Sequence, residues 1–417
     1  MTAPALEELA GRVRAASRAV ARSSGSVRND ALAVAADLLQ NEWESLVEVN
    51  RGDLARAESG DMAASSQDRL RLNEARVRAM AAGLRGVAAL PDPVGEVVEG
   101  WVRPNGLRVT RVRVPLGVVG VIYENRPNVT SDAAGLCLKA GNAVLLRGSA
   151  SALATNRATV ALLQRAVVKA GLPADAVALV EDTSHETAVE FMRLRGFIDC
   201  LVPRGGPSLI ESLVEHATVP YVVDGDGNCH VYVDGAADLS MALDVVLNAK
   251  THRFGVCNAA ETILVHAAVA GEFLPRLCAA LVLAGVEVRG DARVRAVVPG
   301  ASVADEHDFA TEFLAPVVAV GVVDDLGAAI DHIARFSSGH SEAIITGDVR
   351  AADRFVAEVD AAAVLVNAST RFIDGEELGL GAEVGISTQK LHARGPMGVR
   401  ELTSVKWVVR GDGQVRR

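Results

Sequence analysis

The chain has 417 residues, half of them hydrophobic, and a formal net charge of −10 at neutral pH. That length can bury two or more cores, and the negative balance argues against a nucleic-acid polyanion as the main partner. The longest apolar stretch, 313–323, is too short to cross a bilayer, and the amino terminus, with Glu7 and Glu8, lacks a charged-then-apolar export pattern, so the expectation is a cytoplasmic protein without membrane contact.

The first 90 residues read as helices rich in Ala, Leu and Arg, with apolar residues at helical spacing, as in Asp30-Ala-Leu-Ala-Val-Ala-Ala-Asp-Leu-Leu-Gln40. Pro91-Asp-Pro93 breaks that pattern. Residues 106–114 then alternate apolar and basic side chains, as a strand with one solvated face does. From 117 onward short Val-rich runs alternate with helical segments. Runs 118–123, 143–147, 177–180, 198–202 and 221–223 form a first set of strands, and 230–234, 262–266, 317–323, 343–346 and 363–367 a second. This alternation predicts an α/β protein with two doubly wound parallel-sheet domains. A glycine-rich turn at 224–228 marks the boundary, giving domains 1–225 and 226–397. The alternating strand 402–409, within 398–417, is expected to pair with 106–114 outside both main sheets as a small oligomerisation flap.

Five cysteines, an odd number, with no Cys-x-x-Cys and no His-Glu-x-x-His, indicate neither a disulfide framework nor a metal site. Cys137, Cys200 and Cys278 lie in apolar stretches and read as packing. Cys229, after the 224–228 turn, is undecided. Cys257 follows a loop carrying Gly255 and precedes a strand-like run ending at His266. A thiol on a loop mouth is a nucleophile candidate, because only an accessible, electropositive setting lets the thiolate form. Burial, the usual fate of a free cysteine, is the competing reading.

Several segments resemble the aldehyde dehydrogenase superfamily: Pro115-Leu-Gly-Val-Val-Gly-Val-Ile122 followed by Asn125-Arg-Pro127, Lys139-Ala-Gly-Asn-Ala-Val-Leu-Leu-Arg147, and Glu312-Phe-Leu-Ala-Pro316. Longer ones are similar to its glutamate-5-semialdehyde dehydrogenase branch: Asn248-Ala-Lys-Thr, Cys257-Asn, Glu261-Thr262, Tyr123-Glu-Asn-Arg-Pro127, and the whole of 379–395. The resemblance spans essentially the full chain and implies the aldehyde dehydrogenase-like fold. It makes Cys257 the nucleophile, with Asn125 and the Cys257 backbone N–H as donors to the oxyanion. Asn125 also reads as a turn residue before Arg126-Pro127.

No Gly-x-Gly-x-x-Gly follows the first parallel strand, and the superfamily does without it. Its strand-end lysine corresponds to Arg147 and its ribose-binding glutamate to Ala150. Arg147 with Ser149 would attract a 2′-phosphate, which implies NADPH/NADP as cofactor. Arg204-Gly205-Gly206 either sets the diphosphate on the next helix or is a plain glycine turn. Glu312 is implied to hold the nicotinamide ribose. Where hydrolytic relatives carry a water-activating glutamate this chain has Asp224, whose shorter reach implies poor release of a thioester to water; Asp224 and Asp226 also read simply as turn residues.

The implied reaction is NADPH-dependent reduction of L-glutamyl 5-phosphate to L-glutamate 5-semialdehyde and phosphate through a cysteine thioester, the second step of proline biosynthesis. The alternative is a reductase of another acyl phosphate or acyl-CoA on the same fold. A homo-oligomer is expected, with glutamate 5-kinase as a partner. The leaving phosphate calls for cations, and Lys250, Arg371 and Lys390 are the candidates, with Arg253, His392 and Arg394 close to them in sequence.

Overall fold

The computed structural model describes residues 3–60, 62, 64–223 and 225–416. The chain forms two compact units, one of Met1–Val223, Leu380–Gly385 and Met397–Arg417, the other of Asp224–Gly379 and Ile386–Pro396. The expected second domain, 226–397, is therefore interrupted, because 380–385 returns to the first unit. There the Val384 N–H donates to the Met397 carbonyl and the Met397 N–H to the Gly385 carbonyl.

The first unit opens with helices Ala3–Arg22, Gly25–Asn41, Trp43–Glu58 and Glu74–Ala89. Two start on polar caps: Ser24 accepts from the Val27 N–H and Asn73 from the Arg76 N–H. Its parallel sheet has the strand order Val177–Leu179, Ala143–Arg147, Val118–Tyr123, Cys200–Arg204. All six residues of Val118–Tyr123 are buried, as a central parallel strand requires. The order reverses beside that strand. Its carboxyl end therefore meets the carboxyl end of Cys200–Arg204 at a topological switch point, the usual ligand position in open α/β sheets. The expected strand 221–223 does not form; Tyr221 makes only an isolated bridge to Leu201.

A separate antiparallel sheet joins Val97–Val102, Arg108–Pro115 and Thr403–Arg410. The hairpin turn is closed by the Arg103 N–H donating to the Leu107 carbonyl at 2.8 Å, and Gly106 takes φ +87°, open to glycine at little cost. Trp101 and Trp407 meet edge to face at 5.6 Å, with the Arg111 guanidinium over Trp407.

The second unit carries seven parallel strands in the order Ser302–Val303, Glu287–Gly290, Val317–Val323, Ala260–His266, Cys229–Val233, Ser341–Ile345, Ala363–Val366. Successive side chains point to opposite faces of a strand. Val231, Val233, Ile263, Val265, Val318, Val320 and Ile345 accordingly pack with Phe273, Leu277 and Leu281 on one face. Tyr232, Leu264 and Ile344 pack with Ile330, Ile333 and Phe355 on the other. Both faces are apolar, so the strands read as continuous hydrophobic runs. No described helix is long and apolar enough to cross a membrane, and no group of three or more described His, Cys, Asp or Glu side chains is placed to hold a metal.

Candidate active site

Cys257 lies just before strand Ala260–His266, at the amino-terminal edge of the second unit's sheet, where Ala260 pairs with Cys229. Helix Leu239–Thr251 leads into this loop, its last turn closed by the His252 N–H donating to the Asn248 carbonyl. Gly227 passes so close that a Cβ there would stand 1.6 Å from the Cys257 carbonyl oxygen. The Cys229 thiol donates to the same oxygen at 3.1 Å, and its sulfur lies 3.7 Å from His340 Nδ1.

The other thiols exclude themselves. Cys137, Cys200, Cys229 and Cys278 are buried, whereas Cys257 is partly exposed. Burial pushes Cys278 up to about 11 and Cys200 up to about 12, and raises Cys137 and Cys229 strongly as well. Cys229, undecided from sequence, is thus a packed thiol that supports the Cys257 backbone.

The turn that carries Arg371 is held beside Cys257 through its neighbour Asn258. Asn258 Nδ2 donates to the Ile373 carbonyl at 2.8 Å, and Thr370 Oγ1 donates to the Asn258 carbonyl at 2.7 Å. These bonds dock the turn Thr370–Phe372 beside the loop. Arg371 Nε donates to His252 Nδ1 at 3.2 Å, which leaves the His252 proton on Nε2. Half-burial lowers the Arg371 pKa and nearby Arg253 lowers it further, while Asp374 and the Cys257 sulfur act the other way. Arg371 therefore stands within electrostatic reach of the Cys257 sulfur. His252 was not singled out in the sequence, where a histidine in Lys-Thr-His-Arg carries no distinguishing sign.

Lys250 requires a correction. Its ammonium is not presented to an incoming phosphate: it is fully buried, 2.5 Å from the equally buried Glu261 carboxylate. Desolvation lowers Lys250 and raises Glu261 against their mutual attraction. A glutamate inside the apolar run Ala260–His266 was the available signal, since a buried carboxylate demands a partner. Lys390 and Arg394 both pair with Asp360, beside a cavity of about 390 Å³ whose lining does not include Cys257. Glu312 accepts the Gly227 N–H at 2.8 Å. Asp224 lies outside the described residues.

In the first unit Asn125 sits at the switch point with φ +45°. Its Oδ1 accepts from the hydroxyls of Ser149, at 3.3 Å, and Ser151, so its amide NH2 is the end left to donate. The Ser149 hydroxyl, implied to attract a 2′-phosphate together with Arg147, also accepts the Asn125 N–H at 3.3 Å. Arg147 donates from Nη2 to the carbonyls of Thr183 and Ser184, and its buried Nε has no hydrogen-bond partner. Helix Pro207–His216 begins at Gly206 with no side-chain cap, and the Gly206 N–H donates to Glu124 Oε2 at 3.1 Å. A guanidinium with an unused buried N–H and a helix start without a side-chain cap fit a phosphate-bearing cofactor. Ala150, at the start of the short turn Ala150–Ala152, adds no opposing charge.

With this geometry in hand, the aldehyde dehydrogenase family profile matches residues 1–307 and 282–408, and the chain belongs to that family. It is 54% identical over 406 residues to the gamma-glutamyl phosphate reductase of Moorella thermoacetica, covering 97% of each chain. It is 52% identical to the protein of that name from Syntrophomonas wolfei, covering 99% of this chain and 98% of that one. The crystal structure of gamma-glutamyl phosphate reductase from Thermotoga maritima superposes with a TM-score of 0.96 at 46% identity, over 98% of this chain and 99% of that chain.

Proposed function

We propose that this protein reduces L-glutamyl 5-phosphate to L-glutamate 5-semialdehyde and phosphate, the second step of proline biosynthesis, with NADPH as reductant. The observation that carries the reading is the partly exposed Cys257, whose neighbour Asn258 holds the turn bearing Arg371, the other four thiols being buried. Full-length similarity to reductases of that substrate supports it.

On this reading the Cys257 thiolate attacks the acyl carbon, the C–O bond to phosphate breaks, and a thioester remains. Arg371, steadied by His252, meets the departing phosphate, and Lys390 is the second cation assigned to it. The Asn125 amide and the Cys257 N–H donate to the oxyanion. The cofactor, when bound, supplies the hydride that reduces the thioester. Arg147, Ser149, Arg204, Gly205 and Gly206 are assigned to its phosphates, with Glu312 at the nicotinamide ribose. The hemithioacetal then releases the aldehyde and restores the Cys257 thiolate. A homo-oligomer is proposed through the antiparallel sheet, where Trp407 is 58% and Val102 68% exposed, and glutamate 5-kinase is proposed as a partner; the reaction belongs to the cytoplasm.

Steady-state kinetics of the reverse reaction, NADP⁺ reduction by glutamate 5-semialdehyde and phosphate, provide the test. Arg371→Met should raise the phosphate KM by about tenfold or more while leaving the NADP⁺ KM within about twofold, since only one ligand loses a charged hydrogen bond. Equal weakening of both would remove Arg371 from the phosphate site. Ala150→Glu should shift preference from NADPH toward NADH, because a carboxylate there repels a 2′-phosphate. A wild type that prefers NADH would refute the cofactor assignment.

A further inference from the structure

The buried pair that displaced Lys250 from the phosphate site has a second connection. Glu261 Oε2 meets Lys250, while Oε1 accepts the Leu314 N–H at 3.1 Å. Leu314 stands at φ +51°, a left-handed conformation in which a branched apolar side chain is uncommon and which persists only where its surroundings enforce it. Two residues earlier in the same loop, Glu312 accepts the Gly227 N–H at 2.8 Å, and Gly227 packs against the Cys257 backbone. One continuous chain of contacts therefore runs from helix Leu239–Thr251 through Lys250, Glu261, Leu314, Glu312 and Gly227 to the nucleophile.

Stability alone does not account for the pair. A buried ion pair generally stabilises no better than apolar residues of the same volume, and two such residues would extend the apolar packing of this face. What apolar residues cannot supply is an acceptor for the Leu314 N–H. We infer that Glu261, with its charge balanced by Lys250, is a positioning residue that fixes the Leu314 turn and thereby holds the Glu312 carboxylate where the cofactor's ribose is recognised. The inference rests on the role proposed above for Glu312.

Two double variants separate this role from packing. Lys250→Met with Glu261→Gln removes both charges and keeps an oxygen for Leu314. Lys250→Met with Glu261→Met removes the oxygen as well. Neither leaves an unpaired buried ion, so both should fold, which thermal unfolding checks. NADPH affinity is read directly by fluorescence titration, without turnover. The Gln variant should bind NADPH within about twofold of wild type, and the Met variant should bind about tenfold more weakly, as expected for one lost hydrogen bond of ordinary strength. In the reverse reaction the KM for glutamate 5-semialdehyde should stay alike in the two. Glu312→Ala serves as reference. If Glu312→Ala weakens NADPH binding but the two double variants bind alike, or differ only in melting temperature, Glu261 does not position the loop and the inference falls alone. If Glu312→Ala itself leaves NADPH binding unchanged, the role of Glu312 falls and the inference with it.

Discussion

Replacing Cys257 by Ala should abolish reduction while the fold survives. The side chain is partly exposed, so truncation opens no sealed cavity, whereas the reaction loses its attacking atom. Activity should drop on the order of 10⁴-fold or more, the scale seen when a covalent nucleophile is removed. Cys257→Ser should recover little, because an alcohol supplies almost no anion at neutral pH. Brief treatment with iodoacetamide should modify this thiol first, and substrate should slow the modification. The remaining cysteines are buried with raised pKa values and should react only after unfolding. Substantial turnover by the Ala variant would end the covalent account.

Gly227→Ala should be nearly as damaging, although it adds one methyl group and touches no charge. The new Cβ would fall 1.6 Å from the Cys257 carbonyl oxygen and 2.3 Å from its carbonyl carbon. Both are backbone atoms, so relief requires the nucleophile loop or the strand entering at Cys229 to move. A displacement near 1 Å at a reacting group costs about 100-fold in rate, and kcat should fall by at least that factor. Near-normal kcat in a folded Gly227→Ala protein would show that the close approach is not maintained in the working enzyme.

The central parallel strands were legible because burial on both faces makes them near-continuous Val-rich runs, as in Val317–Val323. The edge strand Ser302–Val303 and its neighbour Glu287–Gly290 were not, since the first has two residues, both exposed, and the second reads Glu-Val-Arg-Gly. Val97–Val102 escaped because its three valines, glutamate, glycine and tryptophan show no alternation of burial; all six residues are exposed in this chain. At the candidate site, the partial exposure of Cys257 was foreseeable from the loop that carries it, and Arg371 was singled out as a candidate cation because an acyl phosphate requires one. Lys250 was misread because a sequence displays a charge without its surroundings. Its partner, Glu261, lies on the next strand beyond a loop, and only the fold shows that the two close on each other. The Ser149–Asn125–Ser151 bonds were equally hidden, since they join two strand ends that are adjacent only once the sheet forms.

The most direct test of the central claim, a Cys257 thioester discharged to phosphate, is to mix the protein with glutamate 5-semialdehyde and excess NADP⁺ in phosphate-free buffer. The account predicts a burst of about one equivalent of NADPH per chain, a glutamyl group on the peptide containing Cys257 by mass spectrometry, and continuous turnover once phosphate is added. Sustained turnover without phosphate, or the absence of an adduct at Cys257, would contradict it.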